Sequence, residues 1–145
     1  MRLVIQRVSR SAVKVVDSGE VVGKIGRGLF ILVGVGEDDA KVDAEKLAQK
    51  IVKMRIMKDP EGKMNLSVKE VNGEVLAVSQ FTLYSDTTKG NRPSFIKAAQ
   101  PKQAEEIYNH FVAKLKEEGI EVQTGKFGAY MEIDATLDGP VTIII

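Results

Sequence analysis

The sequence has no cysteine, no tryptophan and only one histidine, His110. Without cysteine there can be no disulfide, no thiolate nucleophile and no cysteine-bound metal. One histidine is too few for a zinc site. A Ser-His-Asp triad would need that histidine beside its nucleophile. His110 falls beside the apolar stripe Ile107, Tyr108, Phe111 of its helix rather than within it, which predicts a solvated helix histidine. No metal and no cofactor are expected. No apolar run approaches the ~20 residues of a membrane span. The opening residues carry two arginines and no apolar core, so a signal peptide is not expected and a cytoplasmic address is. A net charge of +1 excludes a global basic field that would draw the chain onto nucleic acid. Locally, Arg2, Arg7, Arg10 and Lys14 precede the first acid, Asp17, and Lys89, Arg92, Lys97 and Lys102 lie in an acid-free stretch. Such stretches suit a few phosphates of an RNA end, although charge alone favours plain solvated surface.

What is present describes one domain over residues 1–145: 43% hydrophobic and 28% charged residues, with no repeat and no linker. Residues 3–8 and 12–16 are β-branched runs and read as two strands. Asp17-Ser18-Gly19-Glu20 is a turn leading into a strand at 21–25, and Gly26-x-Gly28 reads as a hairpin turn. The apolar run 29–35 predicts a strand buried on both faces. Asp38 or Asp39 is placed to cap a helix carrying Ala44, Leu47, Ala48, Ile51 and Met54 at helical spacing. Asn72-Gly73 signals a hairpin before a second buried strand over 75–83. Residues 85–100 form a long loop. Pro101 opens a second helix with the stripe Ala104, Ile107, Tyr108, Phe111 and Leu115, which Gly119 ends. Strands at 120–123, 130–136 and 141–145 close the chain. The expected fold is α+β: mostly antiparallel sheets in a barrel-like arrangement with two main helices. The apolar end Val141-Thr142-Ile143-Ile144-Ile145 needs pairing in the sheet or cover from a second subunit.

Two motifs carry candidate chemistry. Ser79-Gln80-Phe81-Thr82-Leu83-Tyr84 reads as the end of a buried strand, with Gln80, Thr82 and Tyr84 on one face. These polar groups either meet partners on neighbouring strands or line a pocket, and spacing alone favours neither. Asp138-Gly139-Pro140-Val141-Thr142 reads as a hairpin turn or, if the Gly139–Pro140 bond is cis, as a rigid wall of a binding site.

With these motifs in view, the sequence closely resembles the dimeric D-aminoacyl-tRNA deacylases along essentially its whole length. The resemblance is carried by Ile5-Gln6-Arg7-Val8, Gly62-Lys63-Met64-Asn65-Leu66, Ser79-Gln80-Phe81-Thr82-Leu83-Tyr84, Arg92-Pro93-Ser94-Phe95, Gln123-Thr124-Gly125 and Asp138-Gly139-Pro140-Val141-Thr142, all in order. It implies hydrolysis of the ester bond of D-aminoacyl-tRNA, and of mischarged glycyl-tRNA, by a homodimer whose active site lies at the interface. It implies an active site lined by Ser79, Gln80, Phe81 and Thr82. It also implies a cis Gly139–Pro140 pair that reaches into the partner's pocket and excludes the side chain of an L-amino acid. Arg7 would hold that pair, and Phe127 and Met131 would cradle the terminal adenosine of the tRNA. Leu137 departs from the asparagine common in the family before Asp-Gly-Pro, which predicts altered hydrogen bonding around the pair. Without another histidine or a metal, rate would come from positioning and from donors aimed at the oxyanion. The donors would be the Phe81 and Thr82 N–H groups and the Gln80 amide. Thr82 is the candidate nucleophile, and water assisted by the substrate's ribose hydroxyl is the favoured alternative.

Overall fold

The computed structural model describes all residues, 1–145. Strand β1 (Arg2–Val15) is one continuous strand rather than two. Ser9 and Arg10, which break the apolar pattern, are exposed at a pairing irregularity inside it. A turn with Gly19 at φ 67° leads to β2 (Val21–Ile25) and on to β3 (Gly28–Gly34). Both pair antiparallel with β1, over Ser11 to Lys14 and over Arg2 to Val8 respectively. The run Gly26-x-Gly28 is therefore a bend in one long return path, not a hairpin turn. Its second glycine is obligatory: a Cβ at Gly28 would lie 1.9 Å from the carbonyl oxygen of Glu74.

Helix α1 (Lys41–Lys53) follows. Its N-cap is Ala40, not Asp38 or Asp39, and the Asp43 carboxylate accepts the Ala40 N–H at 3.0 Å. Asp39 bonds Gly36 instead. A small hairpin, β4 (Met57–Lys58) with β5 (Met64–Leu66), precedes β6 (Glu74–Ser79). Strand β6 runs parallel to β3, so Asn72-Gly73 (Asn72 at φ 49°) ends the crossover from β3 and does not close a hairpin. Helix α2 (Pro101–Glu117) starts on Pro101, and Gly119 (φ 86°) stands just beyond its end, both as expected. Strand β7 (Val122–Thr124) joins β6 in parallel. Strand β8 (Met131–Ile144) then returns antiparallel along β1, merging the last two predicted strands into one.

The main sheet has the order β2-β1-β3-β6-β7, with β8 on β1. Its ends curl together: β2 lies against β6 and β7, and Gly23 sits where a Cβ would be 2.7 Å from the Thr124 carbonyl oxygen. The result is the expected α+β fold, a nearly closed, barrel-like sheet with two helices. Antiparallel pairs surround β1, and a parallel trio forms at β3, β6 and β7.

Strand β3 is buried on both faces, as its unbroken apolar run requires. One face of the sheet packs on both helices, through Ala44, Ala48 and Ile51 of α1 and Ile107, Phe111 and Leu115 of α2. Val8, Val13, Phe30, Leu76 and Val78 form a smaller core inside the curl. His110 is not simply solvated: its Nε2 lies 2.8 Å from Glu45 Oε1 and links the two helices. Phe111 is fully buried at the helix–sheet junction, so Phe111→Ala should destabilise the chain by about 3–5 kcal/mol. Urea denaturation monitored by circular dichroism measures this, and a loss below 1 kcal/mol would contradict the packing described.

Candidate active site

Strand β6 stops four residues earlier than predicted. Its last ladder partner is Val33, opposite Ser79, and Gln80 N–H then donates to the Val33 carbonyl at 2.8 Å. With β3 ending at Gly34, no partner remains, and Phe81–Tyr84 winds into a 3₁₀ turn. The predicted alternation of Gln80, Thr82 and Tyr84 on one face is lost with it. The first N–H groups of the turn, on Phe81 and Thr82, precede its first internal bond, from Leu83 N–H to the Gln80 carbonyl at 3.3 Å.

Three parallel strands, β3, β6 and β7, end on the same side. In open α/β sheets, ligands bind beyond the carboxyl ends of such strands, and here that region is a cleft of about 740 Å³. Val35 follows β3 into it, Ser79, Gln80 and Phe81 leave β6 into it, and Phe127 follows β7. Met131 enters from the start of β8. Ser79, Gln80, Phe81, Phe127 and Met131 thus meet in one place.

The walls are apolar with few polar groups, the composition expected of a small-molecule site. Phe81 is 56% exposed at the rim and meets Phe95 edge-on, with ring centroids 5.0 Å apart at 70°. Phe127 tilts against Tyr108 at 6.1 Å. Tyr108 is fixed by donating to the Ala77 carbonyl at 2.9 Å, and burial pushes its phenol well above the ordinary range. The Met131 thioether accepts the Lys126 N–H at 3.3 Å, and Gly125 makes room for it, since a Cβ there would lie 2.9 Å from its sulfur. Phe95, Gln100 and Pro101 also line the cleft, and sequence reasoning gave them no role there. Phe95 lies within a motif already noted, and an aromatic residue in a polar loop was the available signal.

Thr82, Arg7, Gly139 and Pro140 do not line this cleft. Thr82 Oγ1 accepts a hydrogen bond from Gln80 Nε2 at 2.5 Å. The Gly139–Pro140 peptide is cis. It does not close a hairpin. Val8 pairs with Leu137 and Gln6 with Thr142, so Asp138 to Val141 bulge out of β8 opposite Arg7. Arg7, only 3% exposed, grips this bulge. Its Nε donates to the Asp138 carbonyl at 3.1 Å and its Nη1 to the Ile56 carbonyl at 2.8 Å. Lys58 Nζ holds the Asp138 carboxylate at 2.7 Å. That bond from Lys58 outweighs partial desolvation, with help from the Arg7 charge, and keeps the Asp138 carboxyl below the usual carboxylate range. The bulge is thus tied down without an asparagine at position 137.

The family model described as D-Tyr-tRNA(Tyr) deacylase matches residues 4–145. A D-aminoacyl-tRNA deacylase of Dehalococcoides mccartyi (strain ATCC BAA-2100 / JCM 16839 / KCTC 5957 / BAV1) is 57% identical over all of this chain and 94% of its own. One of Thermotoga petrophila (strain ATCC BAA-488 / DSM 13995 / JCM 10881 / RKU-1) is 53% identical, over all of this chain and 96% of its own. Among solved structures, one titled "c-Myc DNA Unwinding Element Binding Protein" superposes with a TM-score of 0.92 at 40% identity, covering 100% of this chain and 97% of that one. A probable eukaryotic D-amino acid tRNA deacylase shares the fold with a TM-score of 0.86 at 17% identity, covering 99% of this chain and 97% of that one. The chain belongs to the D-Tyr-tRNA(Tyr) deacylase family and is a hydrolase of the ester bond of D-aminoacyl-tRNA.

Proposed function

We propose that residues 1–145 act as one deacylase domain in a cytoplasmic homodimer. In this reading the cleft takes the aminoacylated 3′ adenosine of a tRNA, and the partner's Gly139–Pro140 bulge rejects L-amino acids. The observation that carries the reading is the separation within one chain. The cleft holds Ser79, Gln80 and Phe81 but not Gly139 or Pro140, both of which are exposed on the β8 bulge. A gate built from that bulge has to serve a second copy. Strand β8 pairs only with β1 and exposes Ile133, Leu137 and Ile144, an apolar edge that favours a subunit contact.

The adenine would stack on Phe127 beside Met131, and the ester would reach Ser79, Gln80 and Phe81, with the Thr82 backbone next in the chain. A water oxygen attacks the ester carbonyl carbon, the carbon–oxygen bond to the ribose breaks, and the ribose oxygen leaves with a proton. The Phe81 and Thr82 N–H groups stabilise the developing oxyanion. The adjacent ribose hydroxyl assists the water, because the chain supplies no base at this point. The Thr82 hydroxyl oxygen is occupied by the Gln80 amide, a donor, and His110 is engaged with Glu45 on the helices. A gate that works by clash needs no contact with the D side chain, so it tolerates many D-amino acids and glycine.

A deacylation time course on D-Tyr-, L-Tyr- and Gly-tRNA tests this reading. Loss of the D-Tyr and Gly esters is expected, with the L-Tyr ester decaying at its spontaneous rate. Equal loss of D and L esters would remove the gate. Thr82→Val keeps the shape and deletes the hydroxyl; kcat should stay within about tenfold of the parent, whereas a drop to background would make Thr82 the nucleophile. Sedimentation equilibrium should give twice the 15.9 kDa chain mass, and a monomer that still discriminates D from L would refute the cross-subunit gate.

A further inference from the structure

The run Gly34-x-Gly36 ends β3 and leads into the β3-α1-β6 crossover, the setting of a dinucleotide loop, but it lacks that loop's third glycine, and the structure gives it another use. A Cβ on Gly34 would lie 3.0 Å from Leu83 Cβ. A Cβ on Gly36 would lie 2.7 Å from the Cε1, Cζ and hydroxyl of Tyr84. The two glycines form the seat on which the last two side chains of the 3₁₀ turn rest. Tyr84 is fastened there on other sides as well. Its hydroxyl donates to Asp39 Oδ2 at 3.0 Å, and the same oxygen accepts the Gly36 N–H at 2.6 Å. The other Asp39 oxygen pairs with the α-ammonium of Met1. The Arg2 guanidinium lies 4.5 Å from the Tyr84 ring centroid, and its Nη1 donates to the Leu83 carbonyl at 2.8 Å.

The turn itself is weakly supported. None of its four residues is buried. Its backbone has few bonds of its own, such as those from Leu83 N–H to the Gln80 carbonyl and from Ser85 N–H to the Thr82 carbonyl. A turn of this length does not hold its shape unaided. Partial desolvation, then the neighbouring Asp39 carboxylate, push the Tyr84 phenol up to about 12, so it remains a donor at working pH. Burial pushes the Asp39 carboxyl up, but the bonds from the terminal ammonium and the Gly36 N–H outweigh this and hold it below its usual value, so it remains an acceptor.

We infer that Tyr84, clamped by Asp39 and Arg2 over Gly36, is a positioning residue that fixes the turn so that the Phe81 and Thr82 N–H groups meet the oxyanion. This rests on the reading of that turn as the reacting element. Tyr84 touches no substrate; it acts through the backbone of the turn.

Tyr84→Phe, Asp39→Asn and the double variant, assayed on D-Tyr-tRNA and by amide hydrogen exchange, test the inference. Tyr84→Phe keeps the ring on Gly36 and under Arg2 and removes only the bond to Asp39. Its kcat should fall by about tenfold with KM changed less than about twofold, because a small misplacement costs rate and not binding. Exchange at Leu83 and Ser85 should quicken, while the β6 amides keep their protection. Asp39→Asn keeps one amide oxygen for the Gly36 N–H and the Tyr84 hydroxyl to compete for, so it weakens the bond that Tyr84→Phe removes, and the two losses in kcat should be less than multiplicative in the double variant. Should Tyr84→Phe unfold at assay temperature, Asp39→Asn, which leaves the ring in place, carries the same comparison. Unchanged kcat with unchanged exchange would overturn the clamp. A fall in kcat with unchanged exchange would also overturn it, placing the role of Tyr84 outside the turn. Faster exchange with unchanged kcat would leave the clamp physically real and refute the turn as the reacting element, so the inference and the reading beneath it fail in distinguishable ways.

Discussion

Strand β1 is hydrogen-bonded along both edges for most of its length, to β3 and then β2 on one side and to β8 on the other. A chain whose first strand has no free edge must bring its last strand back to it. That return sets the pairing at which the Asp138 to Val141 bulge falls opposite Arg7. The bulge needs the guanidinium, and the guanidinium needs the bulge. A cation only 3% exposed is costly unless its donors are met. The Asp138 and Ile56 carbonyls and the Asp138 carboxylate meet them. The pairing of first strand with last and the burial of Arg7 are one constraint seen twice.

The cleft comes from the opposite circumstance, the loss of pairing. Where β3 ends at Gly34, β6 has nothing left to bond to, and its chain coils into the turn that carries Phe81 and Thr82. The parallel trio β3, β6, β7 fixes which end of the sheet opens, and the start of α2 walls it. A rigid ladder therefore stops directly beside a short, exposed turn. Ser79 and Gln80 are held by the ladder, whereas the next residues depend on contacts made from outside. Glycine supplies the room for those contacts at positions 36 and 125, where a Tyr84 or Met131 side-chain atom lies too close for a Cβ, and at 34, where a Cβ would press tightly on Leu83.

The chemistry this arrangement supports is economical. The substrate ester is already activated, and a hydrolase of such a bond gains more from fixed donors than from a strong base. The single histidine stays on the helices, paired with Glu45, and the Thr82 hydroxyl is spent on the Gln80 amide. In the proposed reading, selectivity and rate fall to different parts of the chain, one on the β8 bulge and one at the end of β6, and they act on the same molecule of substrate only if two copies meet.

Local chemistry was legible in the residues. The buried strand β3, both helices, the Pro101 start, the Gly119 stop and the long loop before α2 follow from periodicity and from what proline and glycine allow. The ordered motifs also marked Ser79 to Phe81, Phe127 and Met131, which the fold then gathers. Pairing was not legible. Gly26-x-Gly28, Asn72-Gly73 and Asp138-Gly139 all have the composition of hairpin turns, yet they form a bend, a crossover turn and a bulge. The difference lies in which strand receives each chain end, and that is decided by contacts distant in sequence. For the same reason alternation along residues 79–84 predicted a strand that the end of β3 cuts short, and neither Phe95 nor the seat of Tyr84 on Gly36 could be placed. Which residues are apolar, which can turn and which carry chemistry could be read from the residues themselves, because those are properties of single residues and near neighbours. Where the ladders end, and which groups face one another there, emerges only in the folded sheet, because hydrogen-bond partners are assigned by the whole sheet at once.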